Sequence, residues 1–356
     1  MPVNEYSSRF PNAEEALVKI VVFGPEKRTG ALRDGAVIDL SYAYAKYLRD
    51  RGERHSVTMA AALVPPDLAR FIECGPRVLE YAQKALEHLG NADDQLGPRG
   101  EKLVYAPGEV RLHAPKPFGA RIACAGSNYA DHAARMAANL GLQPKVSADK
   151  TGDIAEVIRR NGIWGFWKVG RDAVGPDGDV VYPSVTRRLD YEGELAIVLG
   201  KDGKDIKSAD AREYVWGVTL LCDWSIRDLR EAEAPYRFAM AKNFDTSHSL
   251  GPCIAVGEAD PGNIDVETYV NGERRQNYNT RAMIFPFGEL MEYLSRDFTL
   301  RAGDIISAGT AAGTAADSSK PLPDRTFPPE LFLKPGDTVE VRSPAVGSLR
   351  ARIVAK

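Results

Sequence analysis

Acidic side chains occupy every second position of one segment of the chain. Asp190, Glu192 and Glu194 precede the apolar run 195–199, a composition that predicts a strand. Because side chains alternate between the two faces of a strand, the three carboxylates are expected on one face, with neighbours roughly 7 Å apart. Like charges at this spacing repel, and burying them unpaired costs several kcal/mol. The pattern therefore favours a counter-charge, and a divalent cation is the simplest one.

A second apolar run contributes another acid. Residues 214–222 are almost wholly apolar and lead into Asp223. Carboxylates of Glu192, Glu194 and Asp223, with positions left open for water or substrate, suit Mg²⁺ or Mn²⁺ rather than zinc. None of the five histidines lies within either run, and the cysteines lack zinc-finger spacing. The alternative is that Glu192 and Glu194 form the solvated edge of an exposed strand.

One histidine lies in a concentrated polar context. His132 follows a predicted strand around 122–125 and a polar turn, at the start of a predicted helix. An imidazole with its ordinary pKa near ~6.5 can take a proton from water at neutral pH. His132 is therefore a candidate general base, and the alternative is a capping or packing role at the helix start.

Three further segments offer groups for an anionic substrate or intermediate. Arg227 can clamp a carboxylate through two hydrogen bonds, or else pair with Asp228 or a neighbouring glutamate. Lys242 can place a cation beside a developing oxyanion, although most lysines are simply surface residues. The loop 309–314 can hold an anion through its amides and the Thr310 hydroxyl, or be only a flexible loop.

Composition narrows the class of protein. The 356 residues carry a net charge of −3 and 27% charged residues, which offers no basic field for nucleic acid. No apolar run approaches the ~20 residues needed to cross a bilayer, and the N-terminus lacks the apolar core of a signal peptide. Four well-separated cysteines suggest reduced thiols. These features predict a soluble cytoplasmic protein without nucleic-acid or membrane partners.

The order of predicted elements indicates two domains. Residues 1–18 are polar and irregular, and the Pro-rich stretch 113–117 marks a boundary near residue 116. Beyond it β-signals dominate, including an Asn271-Gly272 hairpin turn, with few helices and no regular β-α alternation. Before it the sequence predicts a strand at 18–23, a hairpin within 29–40 turning at 34–35, and helices within 41–51 and 66–90.

Taken in order, several segments of the chain resemble the fumarylacetoacetate hydrolase family. The resemblance covers residues ~116–356, and the first domain resembles the variable N-terminal module of the family. The segments that carry it are Gly126-Ser-Asn-Tyr-Ala-Asp-His132, Gly165-Phe-Trp-Lys168, Val174-Gly-Pro176, Asp190-Tyr-Glu-Gly-Glu-Leu195, Asp223-Trp-Ser-Ile-Arg-Asp228, Lys242-Asn-Phe-Asp245, Gly251-Pro252, Val270-Asn-Gly-Glu-Arg-Arg-Gln276 and Gly303-Asp-Ile-Ile-Ser-Ala-Gly-Thr310.

The resemblance implies an α+β fold, mostly β. A mixed β-roll or β-sandwich catalytic domain (116–356) would follow a smaller α+β domain (1–115), usually in a homodimer. It also implies Mg²⁺ or Mn²⁺, substrate contacts and catalytic side chains. The implied residues are Glu192, Glu194 and Asp223 for the metal, Tyr129, Arg227, Gly309 and Thr310 for substrate, and His132 and Lys242 for catalysis.

The chain departs from the family pattern at three places. In the acylpyruvase-type members that the chain resembles, the lid carries the motif His-x-x-Glu. Here Arg135 occupies the position of that Glu. Arg230 stands where a Gln commonly follows the Arg-Asp pair. Long insertions around 137–163 and 315–331 are expected to shape the lid and pocket. Without the lid Glu, a His–Glu dyad is not expected, and the sequence leaves open whether His132 alone or another acid activates water.

The leading functional hypothesis is metal-dependent hydrolysis of a C–C bond in a 1,3-dicarbonyl acid such as an acylpyruvate. His132 would activate water, while the metal and Lys242 would stabilise the enolate leaving group. The alternative is a metal-dependent lyase or hydratase, a dehydratase or decarboxylase acting on a 2-oxo acid such as a 2-oxo-3-deoxy sugar acid. A third hypothesis is an inactive protein that binds a metal and a 2-oxo acid.

Overall fold

A computed structural model describes residues 18–92, 94–140, 151–229, 237–257, 259–323 and 326–356. The predicted irregular extension at 1–18 lies outside these residues except for its last position. Arg230 also lies outside them. The strands, in chain order, are β1 (Val18–Phe23), β2 (Arg28–Arg33), β3 (Ala36–Asp39), β4 (Val104–Tyr105), β5 (Leu112–His113), β6 (Ile122–Ala125), β7 (Gly165–Lys168), β8 (Gly178–Val181), β9 (Leu189–Asp190), β10 (Gly193–Leu199), β11 (Val215–Asp223), β12 (Ser225–Ile226), β13 (His248–Val256), β14 (Asp265–Val270), β15 (Glu273–Asn279), β16 (Ile305–Ser307), β17 (Thr338–Ser343) and β18 (Gly347–Val354).

Helices lie outside the sheets and connect their strands. The segment 66–90, predicted to be helical, folds as two helices separated by a turn. The helices are α1 (Leu40–Arg49), α2 (Ser56–Leu63), α3 (Leu68–Glu73), α4 (Arg77–Gly90), α5 (Ala130–Leu140), α6 (Thr151–Asn161), α7 (Arg237–Lys242), α8 (Phe287–Leu294) and α9 (Ala315–Ser318).

A long mixed sheet forms the centre of the molecule. Its strand order is β4-β3-β2-β1-β13-β11-β10-β16-β6-β7, and β5 also pairs with β1. Every residue of β10 is buried, because β11 and β16 flank the strand and apolar layers cover both faces of the sheet. On one face lie α1, α3 and α4. On the other lies a five-stranded sheet of order β15-β14-β17-β18-β8.

The acidic segment is not one continuous strand. Asp190 ends β9, which pairs with β12 in a separate two-stranded sheet, and β10 begins only at Gly193. Tyr191 and Glu192 form the crossing between the two strands. The prediction of a single strand from 189 onward was therefore wrong, although Glu192 and Glu194 still lie on the same side of the sheet. Asp190 therefore lies in the β9–β12 ladder, opposite Ser225, and not in the strand that carries Glu194.

Both predicted hairpins are present. Asp34 and Gly35 join β2 to β3 with positive φ angles of 51° and 80°, and Asn271 and Gly272 join β14 to β15 with φ of 51° and 83°. A two-residue turn of this type needs both central residues in the left-handed region, which asparagine, aspartate and glycine tolerate best. The register of these two hairpins is therefore set locally.

The strands before residue 116 belong to the same sheet as those after it. β1 pairs antiparallel with β13, so that Ile20 lies opposite Ile254. The division of the chain into 1–115 and 116–356 stays a prediction, and the hydrogen bonding of the sheet runs across it. The mixed sheets and the helices around them confirm the α+β class. No helix within the described residues is long and apolar enough to span a membrane.

Candidate metal centre and active site

Three buried carboxylates converge on one face of the central sheet. Gly193 pairs with Cys222 in the β10–β11 ladder, and the amide of Asp223 donates to the carbonyl of Glu192 at 2.9 Å. This register sets Asp223 opposite Glu192, with Glu194 two residues further along on the same side. Oxygens of Glu192, Glu194 and Asp223 lie within 4.8 Å of one another, and all three residues are buried. The group could hold a metal ion.

Glu194 has the strongest need for a cation. It is 2% exposed and accepts a hydrogen bond from the Ser307 hydroxyl, but within the described chain its carboxylate is in no salt bridge. Burial raises the pKa of Glu194 well above its ordinary value, and the charges of Asp223 and Glu192 add to the shift. A buried carboxylate without a counter-ion is costly. The donor set, all hard oxygens, therefore fits a divalent cation of the Mg²⁺ or Mn²⁺ kind.

Basic side chains hold the other two carboxylates of the triad. The Lys242 ammonium donates to Glu192 and, at 2.8 Å, to Asp223. Lys168, whose side chain is fully buried, donates to Asp223. Burial opposes ionisation of Glu192, but Lys242 and Arg227 outweigh it and hold the pKa of its carboxyl well below the ordinary value. Lys242 is therefore not the surface lysine of the alternative interpretation.

The guanidinium of Arg227 is engaged within the protein. It donates to Asp190 at 2.9 Å through Nε and to Glu192 through Nη2. The predicted role of Arg227 as a clamp for a substrate carboxylate stays a prediction. Among the described residues, and with Asp190 included, four carboxylates face the three cations Lys168, Arg227 and Lys242, so this set carries one excess negative charge when all are ionised.

The short link between the two glutamates is held by a side chain of β15 and by one from the loop that follows β16. The Gln276 side chain accepts from the Gly193 amide at 3.0 Å and donates to the Thr310 hydroxyl at 2.8 Å. Thr310 in turn donates to the Gly193 carbonyl at 2.9 Å. Because the Thr310 proton is used here, the hydroxyl positions the backbone between Glu192 and Glu194. Its predicted contact with substrate stays untested.

His132 meets an acid from a distant part of the chain. Its Nδ1 lies 2.7 Å from Oδ2 of Asp317, whose side chain is fully buried. Asp317 also accepts from the Gly313 amide at 3.0 and 3.1 Å. Such an acceptor keeps the proton on Nδ1 and leaves Nε2 free to take another. The positive charge of a protonated His132 also contributes to lowering the pKa of Glu192, which indicates that the ring lies near the triad.

Sequence reasoning did not find Asp317. It lies within the insertion 315–331, 185 residues from His132, and only a local signal marks it: Thr314 caps α9 by accepting from the Asp317 amide at 3.2 Å, the spacing of a capping box. That signal predicts a helix start but not what the aspartate faces. Arg135, at the position where the family resemblance suggested a glutamate, is exposed.

The two other predicted substrate residues, Tyr129 and Gly309, are both buried. Tyr129 is 1% exposed, its ring meets that of Tyr278 edge-on at 5.0 Å, and its hydroxyl has no hydrogen-bond partner within the described residues. The nearby charge of Glu194 adds to burial in raising the pKa of Tyr129. Gly309, with φ of 79°, passes so close to Ala125 that a Cβ would lie 2.7 Å from its carbonyl oxygen. Both substrate roles stay predictions.

An aromatic surface adjoins the charged groups. The Lys242 ammonium lies 5.1 Å from the ring centre of Phe166, and Phe166 packs against Phe238 at 5.2 Å. Phe238 contacts Trp164 at 5.8 Å, and both of these side chains are nearly half exposed. The site therefore combines buried charged groups with an aromatic wall, formed by Phe166, Phe238 and Trp164, that is partly exposed to solvent.

Comparison with known proteins assigns the chain to a family. A family model described as the C-terminal part of fumarylacetoacetate (FAA) hydrolase matches residues 121–354. The oxaloacetate tautomerase YisK of Bacillus subtilis is 34% identical over 295 residues, covering 82% of this chain and 87% of that protein. A human mitochondrial oxaloacetate tautomerase is 30% identical over 294 residues, covering 82% and 81%. A solved fumarylacetoacetate hydrolase from psychrophilic Exiguobacterium antarcticum is 26% identical with a TM-score of 0.66, covering 95% of this chain and all of that one.

The protein belongs to the fumarylacetoacetate hydrolase family. This confirms the resemblance inferred from the ordered motifs and makes an enzyme of this superfamily the expectation for the whole chain. Among the similar proteins are tautomerases and a hydrolase. The family alone therefore does not decide the reaction.

Proposed function

We propose that the protein is a divalent-cation-dependent enzyme that interconverts the keto and enol forms of a small 2-oxo acid of the oxaloacetate class. The observation that carries this proposal is the His132–Asp317 pair beside the buried triad. Enolisation needs one base at the carbon next to the carbonyl and positive charge at the carbonyl oxygen. The tautomerase relatives, at 34% and 30% identity over four-fifths of the chain, support the same reaction.

Each side chain has a role in this reaction. Nε2 of His132 takes the proton from C3, and the C–H electron pair moves into C2–C3 while the carbonyl π-pair moves to oxygen. Return of that proton to the oxygen completes the enol, so no group is gained or lost. Asp317 holds the imidazole in the required tautomer and stabilises its charged form. Lys242 places positive charge near the developing oxyanion. The Tyr129 hydroxyl, which has no hydrogen-bond partner among the described residues, could donate to the substrate.

Glu192, Glu194 and Asp223 would hold the cation. When bound, Mg²⁺ or Mn²⁺ would polarise the 2-oxo group and offset the charge that develops on its oxygen. A homodimer and a cytoplasmic location remain part of the proposal, as inferred from the family resemblance and the composition.

A second candidate is hydrolysis of a C–C bond in an acylpyruvate-like acid. It is favoured by the same histidine pair, since Asp317 replaces the acid whose absence at Arg135 argued against water activation. The aromatic wall of Phe166 and Phe238 would suit an apolar acyl group. Here Nε2 would deprotonate water, hydroxide would add to the distal carbonyl, and the C–C pair would leave as an enolate.

One substrate panel separates these reactions. Oxaloacetate, acylpyruvates and sugar-derived 2-oxo acids are followed by ultraviolet absorbance with Mg²⁺, Mn²⁺ or EDTA, and products are identified by mass spectrometry in D₂O and H₂¹⁸O. Tautomerisation exchanges the C3 hydrogen and leaves the carbon skeleton intact, whereas hydrolysis gives two fragments with ¹⁸O in one. Dehydration or decarboxylation gives loss of water or CO₂. Tight binding without turnover across the panel would overturn the enzyme proposal in favour of a binding protein.

A mutation checks that turnover comes from this site. Glu192→Ala should abolish the cation-dependent activity, while Glu213→Gln, a change at a 70% exposed side chain, should leave it intact. Unchanged turnover of every active substrate by Glu192→Ala would rule out a metal-centred mechanism.

A further inference from the structure

Asp190 is a buried carboxylate that the proposed reaction does not use. It is fully buried and accepts hydrogen bonds from four donors. Three of them are the amides of Tyr191 at 2.9 Å, Ala315 at 2.7 Å and Ala316 at 3.1 Å. The fourth is Nε of Arg227 at 2.9 Å. Because each oxygen of this carboxylate accepts two hydrogen bonds, Asp190 fixes the relative positions of the four donor groups around it.

Two of these donors directly precede Asp317 in sequence. Ala315 and Ala316 begin α9, which has only four residues. A helix this short is not stable on its own, so contacts from outside must hold it. Besides Asp190, one such contact is the hydroxyl of Tyr191, which donates to the Gly313 carbonyl at 3.0 Å. Another is Asn139, which donates to the Ala316 carbonyl at 2.9 Å.

We propose that Asp190 is a positioning residue that acts through the backbone of α9 to set the Asp317 carboxylate against His132. The proposal rests on the function proposed for His132. The same carboxylate is tied through the guanidinium of Arg227 to Glu192. One chain of hydrogen bonds thus joins a metal-binding glutamate to the acid that orients the base.

The substitution Asp190→Asn breaks this arrangement with little change in volume. The amide has one acceptor oxygen instead of two, and its NH₂ group would face another donor, the Ala316 amide or the Arg227 guanidinium. Asp228→Asn is a matched control. Asp228 also accepts from a backbone amide, that of Arg187 at 2.9 Å, and pairs with Arg188. Within the part of the chain that the structure describes, it has no hydrogen bond to α9.

Hydrogen–deuterium exchange of the full-length protein measures the positioning directly. In Asp190→Asn, peptides covering residues 313–318 should exchange at least tenfold faster than in the unmodified protein, with Asp228→Asn unchanged there. Unchanged exchange of this segment in a folded Asp190→Asn protein would overturn the proposal. This measurement needs no substrate, so it is decided separately from the proposed function.

Kinetics at saturating Mn²⁺ provide the second arm, on whichever substrate of the panel is turned over. Asp190→Asn should lower kcat with little change in KM and alter the pH profile in the same way as Asp317→Asn. The double variant should be no slower than Asp317→Asn alone, within about threefold, because both changes act on one pair. If the losses of kcat in Asp190→Asn and Asp317→Asn were fully additive in the double variant, Asp190 would act on something other than the His132–Asp317 pair.

A second variant covers the case in which Asp190→Asn fails to fold. Ala315→Pro removes the same hydrogen bond from the donor side, and proline is tolerated at the first position of a helix. The preceding Thr314 already has φ −66° and ψ 162°, which suits a residue before proline. Ala315→Pro should reproduce the faster exchange of the 313–318 segment, and normal exchange there would count against the proposal.

Discussion

The carboxylate triad and the His132–Asp317 pair are built in opposite ways. Glu194 and Asp223 lie within two neighbouring buried strands of the central sheet, β10 and β11, and Glu192 directly precedes β10. His132 and Asp317 lie on the helices α5 and α9, outside the sheets, and are joined by a contact that spans 185 residues. The first group is held by a strand register that no single side chain controls. The second depends on a few individual hydrogen bonds, and so it is the part of the site that single substitutions can shift without unfolding the protein.

The largest expected effect comes from the triad. Glu194→Gln removes the one carboxylate of the triad without a basic partner in the described structure, and with it the negative charge that favours a cation. Mn²⁺ affinity should fall by more than about a hundredfold, and cation-dependent turnover by about a thousandfold or more. Titration calorimetry and the panel assay measure the two effects. Retention of Mn²⁺ affinity would show that the cation binds elsewhere.

The histidine pair should respond without loss of the metal. Asp317→Asn leaves the triad intact, so Mn²⁺ affinity should stay within about threefold. Turnover should fall by about 10²–10⁴-fold, because the wrong tautomer of His132 is favoured. Asp317→Glu should recover part of the loss, and Asp297→Asn, at a side chain that is 91% exposed, should have no effect. Equal losses of metal affinity in Glu194→Gln and Asp317→Asn would show that the histidine pair contributes to metal binding as much as the triad does, which contradicts the difference proposed here between the two regions.

The sheet beneath the triad should be sensitive to acid. Burial lowers the pKa of His248 to about 3, with the charges of Lys168 and Lys116 adding to the effect, whereas an unfolded chain has a histidine pKa near ~6.5. Between these values the unfolded state binds the extra proton, so this stabilising contribution is present above pH ~6.5 and is lost progressively as the pH falls toward 3.

The test of this acid dependence is the slope of stability against pH. As the pH falls from ~6.5 toward 3, the free energy of unfolding of His248→Gln should decrease less steeply than that of the unmodified protein. The difference in slope should be up to about 1.4 kcal/mol per pH unit. Urea unfolding at a series of pH values measures it. The exposed His55→Gln provides the control, and an identical slope in His248→Gln would show that His248 does not govern this range.

The smallest effect is expected at Arg135. Its side chain is exposed, so Arg135→Glu should change kcat/KM by no more than about twofold. A gain of tenfold or more would show that an acid at this position can reach His132 after all, and would weaken the assignment of the orienting role to Asp317.

The contrast between the two regions also explains what could be predicted from the sequence. Glu192, Glu194 and Asp223 were predicted because their signals are local: an alternation of acids, and an acid at the end of an apolar run. Lys242 was found through a family motif, but its contacts with Glu192 and Asp223 needed the fold. Local turn chemistry likewise sufficed for both hairpins. Asp317 could not be predicted, since its partner is set by how α5 and α9 pack, which no local pattern encodes.

The break between Asp190 and Gly193 was missed for a related reason. Alternation of side chains says which face a residue would take in a regular strand, but not whether the hydrogen bonding continues. Here Asp190 pairs with Ser225 in one ladder while Gly193 pairs with Cys222 in another. The regular strand is interrupted where the chain changes from pairing with β12 to pairing with β11, next to the metal-binding residues.

The pairing of β1 with β13 limits how this protein can be divided or recombined. A chain that began at residue 116 would leave β13 as an open strand edge and uncover Leu250 and Ile254, which share an apolar cluster with Ile20 and Phe71. Unpaired apolar edges promote aggregation. Chimeras that exchange residues 1–115 between relatives must therefore keep β1 together with the sheet that it completes.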